Sequence, residues 1–179
     1  MTISLFHVDA FTDCPFAGNP AAVCLTMPRL SAGLLMYRFR NGRLQVFLAH
    51  PGGPFFARKD NGFWTIPKGE PDADEDLLEA AIREFQEETG IKPTGPYIPL
   101  KPVKQKGGKP VHAWAFEGDY DEGKPIVSNT FVIEWPPRSG RRVEFPEIDR
   151  AEFFDAPTAK RKVKAAQAGF IDEVERVVK

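Results

Sequence analysis

No run in the 179-residue sequence is apolar for long enough to form a membrane-spanning helix, and none is expected. Cysteine is scarce, with only Cys14 and Cys24 present. Neither has a His or Cys neighbour at zinc-ligand spacing, and so small a number favours a reduced, cytoplasmic protein over a disulfide framework. Histidine is also sparse: His7, His50 and His112 are scattered, and a structural role is expected even for His50. Neither sign of charge is in excess, since 24 basic residues against 25 acidic ones leave a formal charge of −1. That balance gives no global pull toward nucleic acid or anionic membrane, so any hold on phosphate must be local. The opening stretch MTISLFHVDAFTD lacks a basic region and carries Asp9 and Asp13, which argues against a secretory signal.

With 42% hydrophobic residues, the chain can build one proper core. SAGLLMYRFR (31–40) and LQVFLAH (44–50) are β-rich runs around Asn41-Gly42-Arg43, which reads as a hairpin. After the Gly/Pro/basic loop 51–62, FWTI (63–66) reads as a short strand, and PKGEPDADED (67–76) as turn chemistry leading into a helix start. That helix is expected from about Asp76 to Thr89, with Gly90 as its stop. Strands are expected at 97–103, 111–118, 130–135 and 150–155, with a turn at 106–109 and an arginine-bearing loop at 136–147. From Pro157 onward the tail is helical, with Ile171, Val174, Val177 and Val178 at helical spacing. Strands surrounding one acidic helix define an α+β class with a mixed sheet.

The acidic helix raises its own question. Arg83-Glu84-Phe85-Gln86-Glu87-Glu88-Thr89-Gly90 crowds three glutamates, and like charges three or four residues apart cost roughly 0.2–0.5 kcal/mol per pair. At 100° per residue, Leu78, Ala81, Ile82 and Phe85 share an apolar stripe while Glu84, Glu87 and Glu88 share another face. Three converging carboxylates suit Mg²⁺ or Mn²⁺, hard cations that favour oxygen ligands and keep waters for a substrate's phosphates. Arg83 can brace one of the carboxylates.

The surrounding spacing is more specific still. Gly69 is followed after five residues by Glu75, and after seven more by Arg83-Glu84-Phe85, then Glu87-Glu88, Gly90 and Ile91. This stretch resembles the signature of the Nudix hydrolases with every specified position filled, a match expected by chance on the order of once in 10⁸ windows. The resemblance implies an α/β/α sandwich around a mixed sheet and metal-dependent cleavage of nucleoside diphosphates linked to another group. By the same resemblance, Glu84, Glu87 and Glu88 look like metal ligands for Mg²⁺ or Mn²⁺, with the Gly69 carbonyl as a further one. Arg83 and Glu75 look like orienting groups, while Glu87 doubles as a catalytic carboxylate. A carboxylate outside the motif often serves such enzymes as ligand or base; Glu147 is the first choice here and Glu134 the second.

FWTIPKGE (63–70) carries a Trp-x-x-Pro-Lys-Gly pattern similar to asymmetrical diadenosine tetraphosphate hydrolases and inositol-pyrophosphate-type relatives. Lys68 is the matching phosphate-binding candidate. Arg58 with Lys59, and Arg138, Arg141 and Arg142, are candidates to grip a long polyphosphate; Trp64, Phe55 and Phe56 are candidates to stack on a base. A tyrosine associated with the diadenosine subgroup downstream of the motif has no clear counterpart, KQKGGKP (104–110) lying there instead. Residues 8–25, VDAFTDCPFAGNPAAVCL, resemble the opening hairpin of PhzF-like isomerases, but the rest of such a two-lobed enzyme is absent. The expected division is therefore a β-hairpin-like extension over 1–27 and a Nudix domain over 28–179. The expected partner is a small nucleotide. Nucleic acid is disfavoured because basic residues are not interleaved with aromatics, and a homodimer is left open. Cleavage of nucleoside triphosphates, ADP-ribose or capped RNA, and a non-catalytic nucleotide-binding role, are the competing readings.

Overall fold

The computed structural model describes residues 4–10, 19–25, 30–105 and 107–179. Strands β1 (Ser4–Ala10) and β2 (Asn19–Leu25) pair antiparallel as a two-stranded sheet, with Ser4 opposite Leu25 and Ala10 opposite Asn19. The turn expected between them, Cys14, and the expected domain boundary at 27 lie outside the described residues.

The main sheet grows from a two-residue turn. Asn41 and Gly42 both take left-handed backbone, with φ of 52° and 70°, which matches the right-handed twist of the strands they join. These are β3 (Ser31–Arg40) and β4 (Arg43–Pro51). The other strands are β5 (Lys68–Gly69), β6 (Ile98–Lys104), β7 (Pro110–Glu117) and β10 (Ile148–Asp155). Their order is β10-β4-β3-β7-β6, with β5 also on β3. Only the β3–β7 pairing is parallel, so the sheet is mixed.

β3 explains the layering. Residues 31–38 are all buried, as a strand must be when both faces of its sheet are covered. Ala32, Leu34 and Met36 join Phe47, Phe85, Phe116 and Phe153 on one face, under helix α1 (Leu77–Thr89). Leu35 and Tyr37 join Val46, Leu48, Trp64, Phe154, Phe170, Ile171 and Val174 on the other. That second face is covered by α2 (Ala156–Lys162) and α3 (Ala168–Val177), joined through a single 3₁₀ turn. The result is the α/β/α sandwich that the motif implied.

Helix α1 begins and ends as its sequence dictates. The Asp76 carboxylate accepts from the Leu78 and Glu79 N–H groups at 2.8 and 3.2 Å, and Gly90 closes the helix in left-handed backbone at φ 70°. The buried stripe is rotated from the expected one. Ala80, Ala81, Phe85 and Thr89 are buried, while Leu78 and Ile82 are half-buried. Small side chains at 80 and 81 allow close approach to the sheet, and burying Phe85 contributes about 2–3 kcal/mol. The rotation brings Glu84 and Glu88 beside the buried stripe, both only partly exposed.

Two expected elements differ. FWTI is not a regular strand. Thr65 bonds both ways with Ala49 at 2.9 Å, but Trp64 turns to the C-terminal segment and bridges Val163. The arginine-bearing stretch is not only a loop either, because Arg142–Pro146 forms β9, which pairs with β8 (Thr130–Glu134) in a separate two-stranded ribbon. Alternation of Val143 and Phe145 with Glu144 half-buries one face of the ribbon and exposes the other. Among the described residues, no helix is long and apolar enough to cross a membrane.

Candidate metal and substrate site

Two glycines let the segment before α1 press against it. Ala32 and Gly33 of β3 pair with Gly69 and Lys68 of β5. A Cβ on Gly33 would come within 2.5 Å of the Pro67 carbonyl oxygen, and one on Gly69 would lie 1.9–2.2 Å from the Glu84 carboxylate. The Lys68 N–H donates to Glu88 Oε2 at 2.9 Å. The short strand thus seats two of the three motif glutamates, one by close approach and one by a backbone hydrogen bond to its carboxyl oxygen.

Arg83 does more than the expected bracing of one carboxylate. Its Nε and Nη2 make a bidentate pair with Glu75, both at 2.9 Å, and its Nη1 reaches Glu84 at 2.9 Å and Glu87 at 3.4 Å. Nη2 also donates to the Glu70 carbonyl at 3.3 Å. Glu75 accepts the Asp72 N–H at 2.8 Å as well. Arg83 first, and that N–H second, hold the Glu75 carboxyl down at about 2.

The remaining carboxylates are pushed the other way. Burial raises Glu88 to about 7, with Glu84 and Glu147 adding repulsion and Lys68 opposing. Burial likewise raises Glu84, opposed by Arg83 and reinforced by Glu87 and Glu147. Glu147 therefore stands close enough for both motif glutamates to feel its charge. It lies between β9 and β10, where its N–H donates to the Asn129 carbonyl at 2.8 Å and its carbonyl accepts from Gly52 at 2.8 Å. Asn129 in turn donates its N–H to the Glu87 carbonyl at 3.2 Å, tying the base of the ribbon to α1.

Among the described residues, no three acidic, histidine or cysteine side chains are gathered closely enough to hold a metal ion as they stand. As they stand, Glu84 and Glu87 share one nitrogen of Arg83 while Glu88 is bonded to the Lys68 N–H. The donor chemistry nevertheless fits Mg²⁺ or Mn²⁺. All the groups are oxygens, and Glu84 and Glu88, raised first by burial and then by neighbouring carboxylates, are ionised more readily when a divalent cation is bound.

The candidate substrate residues divide. Lys68 reaches the site, and it has a neighbour that the sequence reading missed. Lys164 is half-buried, and its ammonium is pushed down by burial and then by the Lys68 charge, with Glu88 opposing. The three side chains share one neighbourhood because Lys164 donates its N–H to the Trp64 carbonyl at 2.8 Å and Gln167 Oε1 accepts from the Ile66 N–H at 3.0 Å. Only this long-range docking singles Lys164 out from the basic residues around it.

Trp64 is a core residue rather than a stacking surface. It is 1% exposed, donates Nε1–H to Asp60 at 2.7 Å, and meets Phe154 and His50 edge-on at 4.9 and 5.2 Å between centroids. Phe55 is 56% exposed and sits edge-on to Trp135, whereas Phe56 tilts against Phe63. Arg58 is exposed in the loop after β4. Arg138, Arg141 and Arg142 are exposed at the tip of the ribbon, four residues along from the Thr130–Pro146 pair at its base, or about 13 Å. Glu134 accepts the Gly140 N–H at that tip, so Glu147 and not Glu134 stands with the motif. His50 is fully buried, with Nδ1 2.7 Å from Asp149 and Nε2 2.8 Å from the Lys59 carbonyl, in keeping with a structural role.

Comparison with known proteins agrees with the fold. A model of the NUDIX domain matches residues 27–174. An octanoyltransferase of Myxococcus xanthus is 31% identical over 102 residues, covering 57% of this chain and 25% of that protein. The mRNA-decapping protein g5R of African swine fever virus is 54% identical over 43 residues, 24% of this chain and 17% of that one. The chain thus spans a quarter or less of the curated relatives it matches. Among solved structures, a Caenorhabditis elegans Ap4A hydrolase binary complex superposes with a TM-score of 0.58 at 20% identity, covering 83% of this chain and 97% of the other. The NUDIX domain of Shewanella oneidensis NrtR complexed with ADP ribose gives 0.59 at 14% identity, with coverages of 87% and 91%. At these identities the likeness is one of fold. The PhzF-like text of residues 8–25 gains no support from these similarities.

Proposed function

Because the chain belongs to the NUDIX-domain family, we propose that it hydrolyses a pyrophosphate bond in a nucleoside-diphosphate-linked substrate with the help of Mg²⁺ or Mn²⁺. A dinucleoside polyphosphate such as diadenosine tetraphosphate is the substrate we favour. The observation that supports this reading is that Glu84, Glu87, Glu88 and Glu147 lie within electrostatic reach of one another across the motif, with Lys68 and Lys164 in reach of Glu88. Acidic ligands and phosphate-binding cations thereby border one another. The Trp-x-x-Pro-Lys-Gly text of 64–69 and the fold likeness to an Ap4A hydrolase support the choice of substrate.

Each residue then has a role. Glu84, Glu87 and Glu88, with the Gly69 carbonyl, would hold the cation, which when bound neutralises charge on phosphate oxygens and makes water more acidic. Arg83, held by Glu75 in a bidentate pair, fixes Glu84 against Gly69. Glu147, whose charge reaches Glu84 and Glu88, would take the proton of the attacking water. Lys68 and Lys164 bind the phosphates as point charges, and the lowered proton affinity of Lys164 fits a site awaiting an anion. Arg58 and the ribbon-tip arginines lie farther out and serve only the distal end of a long polyphosphate.

The test compares wild type with Glu87→Gln on diadenosine tetraphosphate, ADP-ribose and nucleoside triphosphates. Chelator-sensitive turnover abolished by the substitution, with nucleotide binding retained, is the expected result. Turnover of ADP-ribose alone would move the substrate class, and near-wild-type activity in Glu87→Gln would overturn the assignment of the site.

A further inference from the structure

A cavity of about 640 Å³ opens on the flank of α1, between the helix and residues 127–129 at the base of the β8–β9 ribbon. Its volume lies in the range of small-molecule sites. Arg83 and Glu87 line it, so it shares a wall with the motif face. Resting on the hydrolase reading above, we infer that this cavity is the subsite for the base of the nucleotide, and that the base is a purine bearing an amino group.

Charge decides which end of a nucleotide enters. Glu79 and Glu87 both line the cavity. The one cation among its lining residues, Arg83, is already committed to Glu75, Glu84 and Glu87. A phosphate is repelled there, and the uncharged end of the molecule is not. The phosphates go instead toward Lys68 and Lys164.

The other lining groups suit a flat heterocycle. Ile82 and Val127 provide apolar surface, and Val127 is 70% exposed, a degree of exposure a valine loses on covering a ring. The carboxamides of Gln86 and Asn129 also line the cavity and make no side-chain hydrogen bond among the described residues. A carboxamide offers one acceptor and one donor side by side, the complement of the N7 and 6-amino edge of adenine. Both walls are fixed in advance. Asn129 donates its N–H to the Glu87 carbonyl, and the Ser128 hydroxyl accepts the Ile148 N–H at 3.1 Å.

Two measurements test the inference. In ¹⁵N-labelled wild-type protein, adenosine added without metal should shift the side-chain amide resonances of Gln86 and Asn129. In turnover assays, wild type should favour diadenosine over diinosine tetraphosphate by roughly tenfold or more, and Gln86→Leu and Asn129→Leu should bring that ratio toward one. Chelator-sensitive hydrolysis with unmoved amides and an unchanged ratio in both variants would overturn the subsite and leave the hydrolase standing. Shifted amides with no turnover of any nucleotide would support the subsite and overturn the hydrolase reading.

Discussion

Adding a methyl group at Gly69 strikes the site at its tightest point. A Cβ there would lie 1.9 Å from the Glu84 carboxyl carbon and 2.0 and 2.2 Å from its oxygens. To regain contact near 3.4 Å the carboxylate must retreat by about 1.5 Å, because the β5–β3 pairing fixes the backbone at 69. Retreat also strains the 2.9 Å bond from Arg83. Misplacing a reacting or ligating group by about 1 Å can cost 10²-fold in rate, so Gly69→Ala should lower kcat/KM for diadenosine tetraphosphate by about that factor. Because the clash is with the movable end of a side chain, the stability cost should stay below about 1 kcal/mol, a fall in melting temperature of no more than about 2–4 °C for a chain of this size. Gly169→Ala is the control. Its Cβ would meet nothing nearer than 3.8 Å, and in α3 an alanine should stabilise by up to about 1 kcal/mol without touching activity. Near-wild-type kcat/KM in Gly69→Ala would refute the idea that Glu84 works from the position it holds against Gly69.

Other expectations follow from the same geometry. Glu88 has a carboxyl raised from 4.5 to about 7, so without metal the fold binds an extra proton between those values. Stability therefore falls as pH rises from 5 to 8, and denaturant midpoints should show Glu88→Gln losing that part of the slope. Glu75 behaves oppositely. Its carboxyl is lowered from 4.5 to about 2, so its contribution is present above 4.5 and lost as pH falls toward 2, and Arg83→Ala should flatten that acid limb. Trp64→Ala should cost about 3–5 kcal/mol by chemical denaturation as a core truncation, whereas Trp64→Leu, which removes the aromatic face, should leave the KM for nucleotide of the folded protein within about twofold, an outcome that a base-stacking tryptophan would not give. Lys164→Ala should raise KM for the tetraphosphate more than the Arg141→Ala, Arg142→Ala double variant does, in steady-state assays.

Where local chemistry dictates structure, the sequence was readable. The Asn41-Gly42 turn, the Asp76 cap and the Gly90 stop are set by residues within a few positions of one another. The motif spacing placed Gly69, Glu75, Arg83 and the three glutamates together for the same reason, since one loop and one helix carry them all. Distant partners were not readable. FWTI has strand composition, yet Trp64 bonds to residues 162 and 164, almost a hundred positions away. The same docking buries Trp64 and brings Lys164 to Lys68, and nothing in the basic tail signals it. Strand β9 was hidden by Pro, Gly and Arg around it, although the alternation of Val143 and Phe145 with Glu144 was there to be read. Only likeness of spacing points to Glu147 in the sequence, and its nearness to Glu84 and Glu88 depends on the ribbon folding back onto α1.

Everything above turns on whether the motif glutamates direct cation-dependent hydrolysis. The most direct test incubates wild-type and Glu87→Gln protein with diadenosine tetraphosphate and Mg²⁺, with and without chelator, and resolves the products by ion-exchange chromatography. ATP and AMP formed by wild type, lost on chelation and absent with Glu87→Gln, is the predicted result. Product formation indifferent to chelator, or undiminished in Glu87→Gln, would contradict it.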